Sequence, residues 1–226
     1  VLFRSVETAV FIRLALVVTE VAFGAAGVEL PVVVVARGVG VALGVVAGLV
    51  ARREAVGPHI ALMLDGYHNY SRMDALRIGR ALEKLNFAWF EEMMNEQSMA
   101  SYAWLSSQLD IPIVGPESLG GKHHSRADWV RSGACDILRA GVPGVGGITP
   151  TLKVAHLAES FGMDCEVHGN GAANLAVCAA IRNCRWYERG LLHPFLEYDD
   201  KPAYLRSLPD PMDSDGFVHL SQQPGL

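Results

Sequence analysis

The stretch IALMLDGYHNYSRMDALRIGRALEKLNFAWFE, residues 60–91, contains one complete strand–helix–strand unit. The apolar run IALMLD (60–65) predicts a buried strand, and FAWFE (87–91) predicts the next one. Between them, residues 73–85 carry apolar side chains at the three- and four-residue spacing of an amphipathic helix. Strands and helices that alternate with short connections are the units from which parallel sheets are built.

The same order of strand, loop and helix continues along the chain. The predicted strands are 60–65, 87–91, 111–115, 135–140, 163–168 and 184–188, and the predicted helices are 73–85, 98–109, 126–132, 149–161 and 172–182. This alternation favours an α/β fold with a parallel sheet, either a barrel or a doubly wound sheet. Any further barrel strands must come from residues 1–55.

Three acidic residues recur at an identical interval of 26 residues: Asp65, Glu91 and Glu117. Each follows a short apolar or aromatic run, so each is expected at the carboxyl end of a strand. In a barrel of parallel strands these ends surround one opening. Clustered carboxylates repel one another unless a cation binds them, and hard oxygen ligands suit Mg²⁺. The alternative is that these acids are ordinary loop residues that follow strands.

Composition limits the partners and the location of the protein. The net charge of −5 and the absence of a polybasic block argue against nucleic acid as a partner. The four cysteines form no CxxC pair and lie in apolar sequence, which indicates buried, reduced thiols and a cytoplasmic location.

Residues 1–55 differ from the rest of the chain in being rich in Val, Ala and Gly. A membrane helix would need about 20 largely uninterrupted apolar residues. Arg37 and several glycines interrupt the best window, so a membrane partner is not expected. Two interpretations stay open: a shifted reading frame in GC-rich DNA, or distorted first strands of the barrel. Alignment of the encoding DNA in all three frames distinguishes them.

Other polar residues also fall at predicted strand ends. His168 ends the run MDCEVH, and Glu188 ends CRWYE. A histidine near its ordinary pKa can act as a general base, and a carboxyl group can donate a proton if burial raises its pKa. The glycines on both sides of Asn170 would let the backbone approach a ligand closely. The alternatives are a structural histidine and a salt bridge from Glu188 to Arg185 or Arg189.

Two polar loops follow the strands that carry the predicted metal ligands. HNYSR (68–72) contains His68, and GKHHSR (121–126) contains Lys122 and Arg126. These side chains could contact the hydroxyl and carboxylate groups of an acid sugar. Solvated loop residues are the alternative explanation.

The motifs LMLD, WFEE, GPES, EVHGNGAANL and WYERGLLHP occur in this order between residues 56 and 226. In order and spacing this region resembles the barrel domain of the mandelate racemase and muconate lactonizing enzyme branch of the enolase superfamily. The resemblance implies a partial (β/α)7β TIM-type barrel, with residues 56–226 as the barrel domain and residues 1–55 as an atypical segment. The capping domain of the family is expected to be absent from this chain.

The resemblance also implies a site and a reaction. Asp65, Glu91 and Glu117 correspond to the Mg²⁺ ligands, and His168 corresponds to the base that removes the proton alpha to a carboxylate. Glu188 corresponds to an acid that hydrogen-bonds the substrate carboxylate. The implied activity is dehydration of an acid sugar, a small-molecule substrate, to a 2-keto-3-deoxy acid. A racemase or epimerase, or a non-catalytic barrel fragment, is the alternative.

Two positions depart from the family pattern. The family's second base is a lysine in a KxK motif, whereas no lysine precedes Lys84 here. The aspartate that orients the family's histidine aligns with Gly141. We therefore expect this chain by itself to be weakly active or inactive, and we expect the full-length enzyme to form a homo-oligomer.

Overall fold

A computed structural model of the chain describes residues 16–17, 21–22, 34–37, 42–189, 201, 203–213 and 217–221. Most of the valine-rich stretch lies outside these described residues, so the two interpretations of residues 1–55 are not decided by the structure.

The described residues contain nine strands and seven helices in the predicted alternating order. The strands are β1 (Leu16–Val17), β2 (Val21–Ala22), β3 (Val34–Arg37), β4 (Leu62–Asp65), β5 (Trp89–Glu91), β6 (Ile113–Val114), β7 (Ile137–Ala140), β8 (Asp164–Val167) and β9 (Trp186–Tyr187). The helices are α1 (Ala42–Val56), α2 (Arg72–Lys84), α3 (Met99–Ser106), α4 (Lys122–Ser132), α5 (Val142–Val145), α6 (Ile148–Ser160) and α7 (Ala172–Ala180). All six strands predicted from residue 60 onward are present.

One sheet joins all of these strands in the order β1-β3-β4-β5-β6-β7-β8-β9-β2. The strands from β3 to β9 are parallel to their neighbours, while β1 is antiparallel to β3 and β2 is antiparallel to β9. Val17 pairs with Val35 and Val21 pairs with Tyr187. Val17 and Val21 are four residues apart in the chain, and four residues span at most about 14 Å. Because Val17 pairs with β3 and Val21 pairs with β9, these two edges of the parallel sheet lie close together. The predicted partial TIM-type barrel is thereby confirmed.

Alternation along the strands divides the barrel interior into two layers. Met63, Trp89 and Val114 are buried together and form an apolar layer. Two residues further along their strands, Asp65 and Glu91 begin a polar layer at the carboxyl ends of the strands. The intervening strand residues pack outward against the helices. This polar layer lies at one end of the barrel, which we call the opening.

The helices pack around the outside of the sheet. Ser71 caps α2 by accepting the backbone N–H of Asp74 at 3.2 Å. The expected domain boundary at residue 56 falls on the last residue of α1, and α1 packs against α2 with Val45 and Leu49 in the core. Among the described residues, none of the helices combines the length and hydropathy needed to cross a membrane.

Candidate active site

The ends of β4 and β5 place the first two predicted metal ligands side by side. Asp65 and Glu91 are partners in the parallel register, so their side chains lie on the same face of the sheet. Both residues are buried, and Asp65 Oδ1 accepts the backbone N–H of Tyr67 at 2.8 Å. The 26-residue spacing thus corresponds to one step across the sheet.

Glu117 lies three residues beyond the end of β6, in the loop that leads to α4. Its backbone N–H donates to Glu96 Oε1 at 2.5 Å, and its carbonyl accepts a hydrogen bond from Arg126 Nη2 at 2.9 Å. Its own Oε2 lies 3.0 Å from His168 Nδ1. The third predicted ligand therefore lies at the same opening, on a loop held by hydrogen bonds to Glu96 and Arg126, and its carboxylate faces His168.

Arg139 lies among these acids and was not among the site residues predicted from the sequence. Its Nε is 2.6 Å from Glu91 Oε1 and 3.5 Å from Glu117 Oε2, and its Nη2 is 2.7 Å from Glu188 Oε2. Only 5% of its side chain is exposed. The sequence does contain a signal, because an arginine within the apolar strand CDILRA needs carboxylate partners wherever it is buried.

The ends of β8 and β9 bring the two predicted catalytic residues together. His168 Nδ1 lies 3.2 Å from Glu188 Oε2, and the same oxygen accepts the backbone N–H of Gly169 at 2.9 Å. The His168 side chain is 37% exposed, so its ring is accessible from the opening. The alternative interpretation paired Glu188 with Arg185 or Arg189. Its partner is instead Arg139, while Arg185 pairs with Asp164.

The charges of this cluster shift the pKa values of its members in opposite directions. Burial opposes ionisation of Glu188, but Arg139 and His168 outweigh it and lower the Glu188 pKa to about 2. Burial likewise opposes the charge on His168, but hydrogen bonding and charge from Glu117 and Glu188 raise its pKa to about 10. Burial raises the pKa of Glu91 well above its usual range, against the effect of Arg139. Glu188 is therefore ionised, and the raised pKa that a proton donor needs is not found.

Gly141, which the resemblance aligns with an orienting aspartate, lies directly against His168. A Cβ at residue 141 would come within 2.6 Å of the His168 carbonyl oxygen and 3.3 Å of the His168 Cβ. A side chain there would collide with the backbone of His168. Glu117 and Glu188 contact the imidazole, so His168 has two carboxylate partners.

We expect Gly141→Ala to destabilise the protein by about 1–3 kcal/mol, the usual cost of adding atoms to a closely packed site. Urea denaturation measures this difference. Gly144→Ala is the matched control, since a Cβ at residue 144 meets no atom within 4 Å. Equal stability of the two variants would contradict the close approach of Gly141 to His168.

The residues proposed to contact substrate have different surroundings. His68 Nδ1 lies 3.1 Å from the Met94 carbonyl, and its Nε2 lies 3.0 Å from Glu92 Oε1. Asn170 Nδ2 donates to the Arg189 carbonyl at 2.8 Å, and the residue is exposed beside His168. Asn170 is thus placed near the opening, whereas His68 is engaged by neighbouring residues.

The two basic candidates on α4 also differ. Lys122 is exposed at the first residue of the helix. Arg126 is buried, and its guanidinium donates to the carbonyls of Leu119, Lys122 and Glu117. Arg126 therefore braces the loop of Glu117 and is not positioned to contact a substrate.

The acids at the opening fit Mg²⁺ in the type of atom they offer. Asp65, Glu91 and Glu117 supply carboxylate oxygens, and the buried Oε1 of Glu91 accepts no aligned hydrogen bond even though Arg139 is close. In the described part of the chain, one group of three has its ligand atoms all within 4.8 Å, and that group is His68, Glu92 and Glu96. The three predicted ligands do not form such a group among the described residues, and Arg139 contacts two of them, Glu91 and Glu117.

Together these features define a β/α barrel domain with an acidic site at the carboxyl ends of its parallel strands. The family model described as Enolase C-terminal domain-like matches residues 42–226. The chain therefore belongs to that family, within the mandelate racemase and muconate lactonizing enzyme branch of the enolase superfamily.

Individual relatives share part of their length with this chain. The crystal structure of D-glucarate dehydratase from Agrobacterium tumefaciens, complexed with magnesium, is 65% identical with a TM-score of 0.78, over 81% of this chain and 48% of that one. L-talarate/galactarate dehydratase of Salmonella typhimurium is 33% identical over 62% of this chain and 35% of its own length. D-galactarolactone cycloisomerase of Agrobacterium fabrum is 30% identical over 79% of this chain and 49% of its own length. The chain thus spans about half or less of these relatives.

Proposed function

We propose that the protein containing this chain is a Mg²⁺-dependent hydro-lyase that converts an acid sugar into a 2-keto-3-deoxy acid. The observation that carries this proposal is the meeting of His168 and Glu188 with the acids of β4, β5 and β6 at one barrel opening. The dehydratases of Agrobacterium tumefaciens and Salmonella typhimurium support the substrate class through their names.

Asp65, Glu91 and Glu117 would hold the metal, as the magnesium in the structure of the Agrobacterium tumefaciens dehydratase supports. A bound Mg²⁺ would polarise the substrate carboxylate and stabilise the negative charge that develops when its alpha proton is removed. In the structure, the positive charge of Arg139 compensates the negative charge of two of these carboxylates, Glu91 and Glu117. Arg139 and the metal therefore compete for Glu91 and Glu117.

His168 carries the proton in this proposal. The neutral imidazole takes the proton from the alpha carbon, and the C–O bond at the beta carbon then breaks. The imidazolium returns the proton to the departing hydroxide, which leaves as water, and the resulting enol converts to the 2-keto acid. The neighbouring Glu117 and Glu188 raise the pKa of His168, so its neutral form is a stronger base but is less populated near neutral pH.

Lys122 and Asn170 are the residues proposed to bind the substrate. Lys122 offers a positive charge to the anionic sugar from the start of α4. Asn170 follows His168 by two residues and presents an exposed amide beside the opening.

Incubation with a panel of acid sugars and Mg²⁺, followed by an assay for 2-keto-3-deoxy product, tests the proposal. The same reactions run in D₂O report removal of the alpha proton. Product formation supports a dehydratase, whereas deuterium incorporation without product supports a racemase or epimerase. If the full-length protein neither forms the product nor incorporates deuterium, the result supports a non-catalytic barrel.

A further inference from the structure

A second group of metal-ligating side chains lies beside the opening, on the loops after β4 and β5. Glu92 and Glu96 are buried, with 1% and 4% of their surfaces exposed, and His68 is half-buried. One ligand atom from each of these three residues lies within 4.8 Å of the other two. Ligand atoms about 2.1 Å from one ion are separated by about 3 to 4.2 Å, so side chains whose ligand atoms lie within 4.8 Å of one another need only a small shift to share a cation.

The hydrogen bonds of His68 direct one ring nitrogen toward the carboxylates. Nδ1 lies 3.1 Å from the carbonyl of Met94, which can only accept a hydrogen bond, so Nδ1 carries the proton. In the neutral ring Nε2 is then an acceptor, and it faces Glu92 Oε1 at 3.0 Å. Two acceptors at this distance need either a proton between them, on the ring or on the Glu92 carboxyl, or a cation.

Glu96 supplies an independent indication of a ligand. Its Oε1 accepts a hydrogen bond from the backbone N–H of Glu117, whereas its buried Oε2 has no aligned hydrogen bond, although the backbone N–H of Leu119 lies near the carboxylate. A buried carboxylate oxygen without a partner is costly. A proton shared by His68 and Glu92 would still leave this oxygen without an aligned hydrogen bond, whereas a cation would bind both carboxylates.

We propose that His68, Glu92 and Glu96 form a second metal site, separate from Asp65, Glu91 and Glu117, which binds a divalent first-row transition ion. The imidazole nitrogen decides the class of ion, because nitrogen donors favour transition ions such as Zn²⁺ and Mn²⁺ over Mg²⁺. The second site does not depend on the proposed activity.

The second site is connected to the loop that carries Glu117. Glu96 accepts the Glu117 backbone N–H, and Ser118 Oγ donates to Glu92 Oε1 at 2.8 Å. A cation bound by both carboxylates would fix their orientation and with it the loop. We therefore assign the second site a structural role in positioning Glu117.

Calorimetric titration of the untagged chain with ZnCl₂, in the presence of excess Mg²⁺, tests this proposal. We expect one Zn²⁺ to bind, and we expect His68→Gln and Glu96→Gln each to weaken that binding by more than about 10-fold. Asp65→Asn and Glu91→Gln should leave it unchanged, because those residues belong to the other site. His124→Gln is the matched control for an exposed histidine.

Electron paramagnetic resonance with Mn²⁺ provides a second measurement that does not depend on affinity. Bound Mn²⁺ should show coupling to an imidazole nitrogen, and His68→Gln should abolish that coupling while circular dichroism confirms the fold. The proposal is overturned if no Zn²⁺ binds in excess Mg²⁺, if binding survives both His68→Gln and Glu96→Gln, or if no nitrogen coupling is observed.

Discussion

Replacing His168 with asparagine is expected to lower the rate of 2-keto acid formation by about 10²- to 10⁴-fold, the usual contribution of a positioned acid–base group. His168 is half-buried at the opening and contacts both Glu117 and Glu188. Asparagine preserves a polar side chain of similar reach but cannot exchange a proton near neutral pH. The loss should therefore fall on the chemical step and appear mainly in kcat.

Product formation by the full-length protein and Mg²⁺ affinity are measured on the same His168→Asn sample. Retained Mg²⁺ binding shows that the acids at the opening are intact. His156→Asn, at an exposed position of α6, controls for the loss of a histidine elsewhere. If His168→Asn forms the 2-keto acid as fast as the unmodified protein, His168 does not take part in the proposed mechanism.

Replacing Arg139 with glutamine is expected to lower the free energy of unfolding by about 3–5 kcal/mol near neutral pH without divalent ions. Arg139 is buried and lies within 2.7 Å of carboxylate oxygens from Glu91 and Glu188. Its removal leaves these buried acids without compensating charge. Because the proposed Mg²⁺ site shares Glu91 and Glu117 with Arg139, we also expect the variant to bind Mg²⁺ more tightly and to regain stability when Mg²⁺ is added.

The pH dependence of this effect follows from Glu188, whose pKa falls from 4.5 to about 2 in the folded chain. A lowered carboxyl pKa contributes stability above the unfolded value, and that contribution is lost as pH falls through the folded value. The loss of unfolding free energy caused by Arg139→Gln should therefore be largest above about pH 5 and should decrease toward about pH 2. Urea denaturation across this range measures it, with the exposed Arg80→Gln as control. A pH-independent cost would contradict the ion-pair explanation.

The strands and the positions of their terminal residues could be predicted because both depend on local pattern. Apolar runs such as IALMLD are buried as strands, and the regular length of the units places Asp65 in register with Glu91. His168 and Glu188 lie near each other for the same reason, since β8 and β9 are neighbours in a parallel sheet. Residues at the ends of neighbouring strands therefore lie close together at the opening, and the regular spacing of the strands in the sequence predicts which residues these are.

The charge balance of the opening could not be predicted in this way. Arg139 lies one residue before the end of β7, and its role depends on acids from three other strands converging on it. That convergence depends on the curvature and register of the sheet. The ionisation of Glu188 could not be inferred for the same reason, because Arg139 is the largest influence that lowers its pKa.

The cluster of His68, Glu92 and Glu96 also required the structure. His68 and Glu92 adopt positive φ angles of 60° and 44°, which are uncommon for residues other than glycine. These backbone conformations turn the two loops toward each other, and the backbone N–H of His68 donates to the Glu92 carbonyl. Propensity gives no basis for expecting such loop geometry from these residue types.

Calorimetric titration of the chain with MgCl₂ tests most directly whether the acids at the opening form a metal site. We expect a single binding event that is weakened at least about 10-fold in Glu117→Gln and is likewise weakened in Glu91→Gln. Glu159→Gln, at an exposed position of α6, should bind as the unmodified chain does. The absence of Mg²⁺ binding, or binding that Glu117→Gln leaves unchanged, would contradict the assignment.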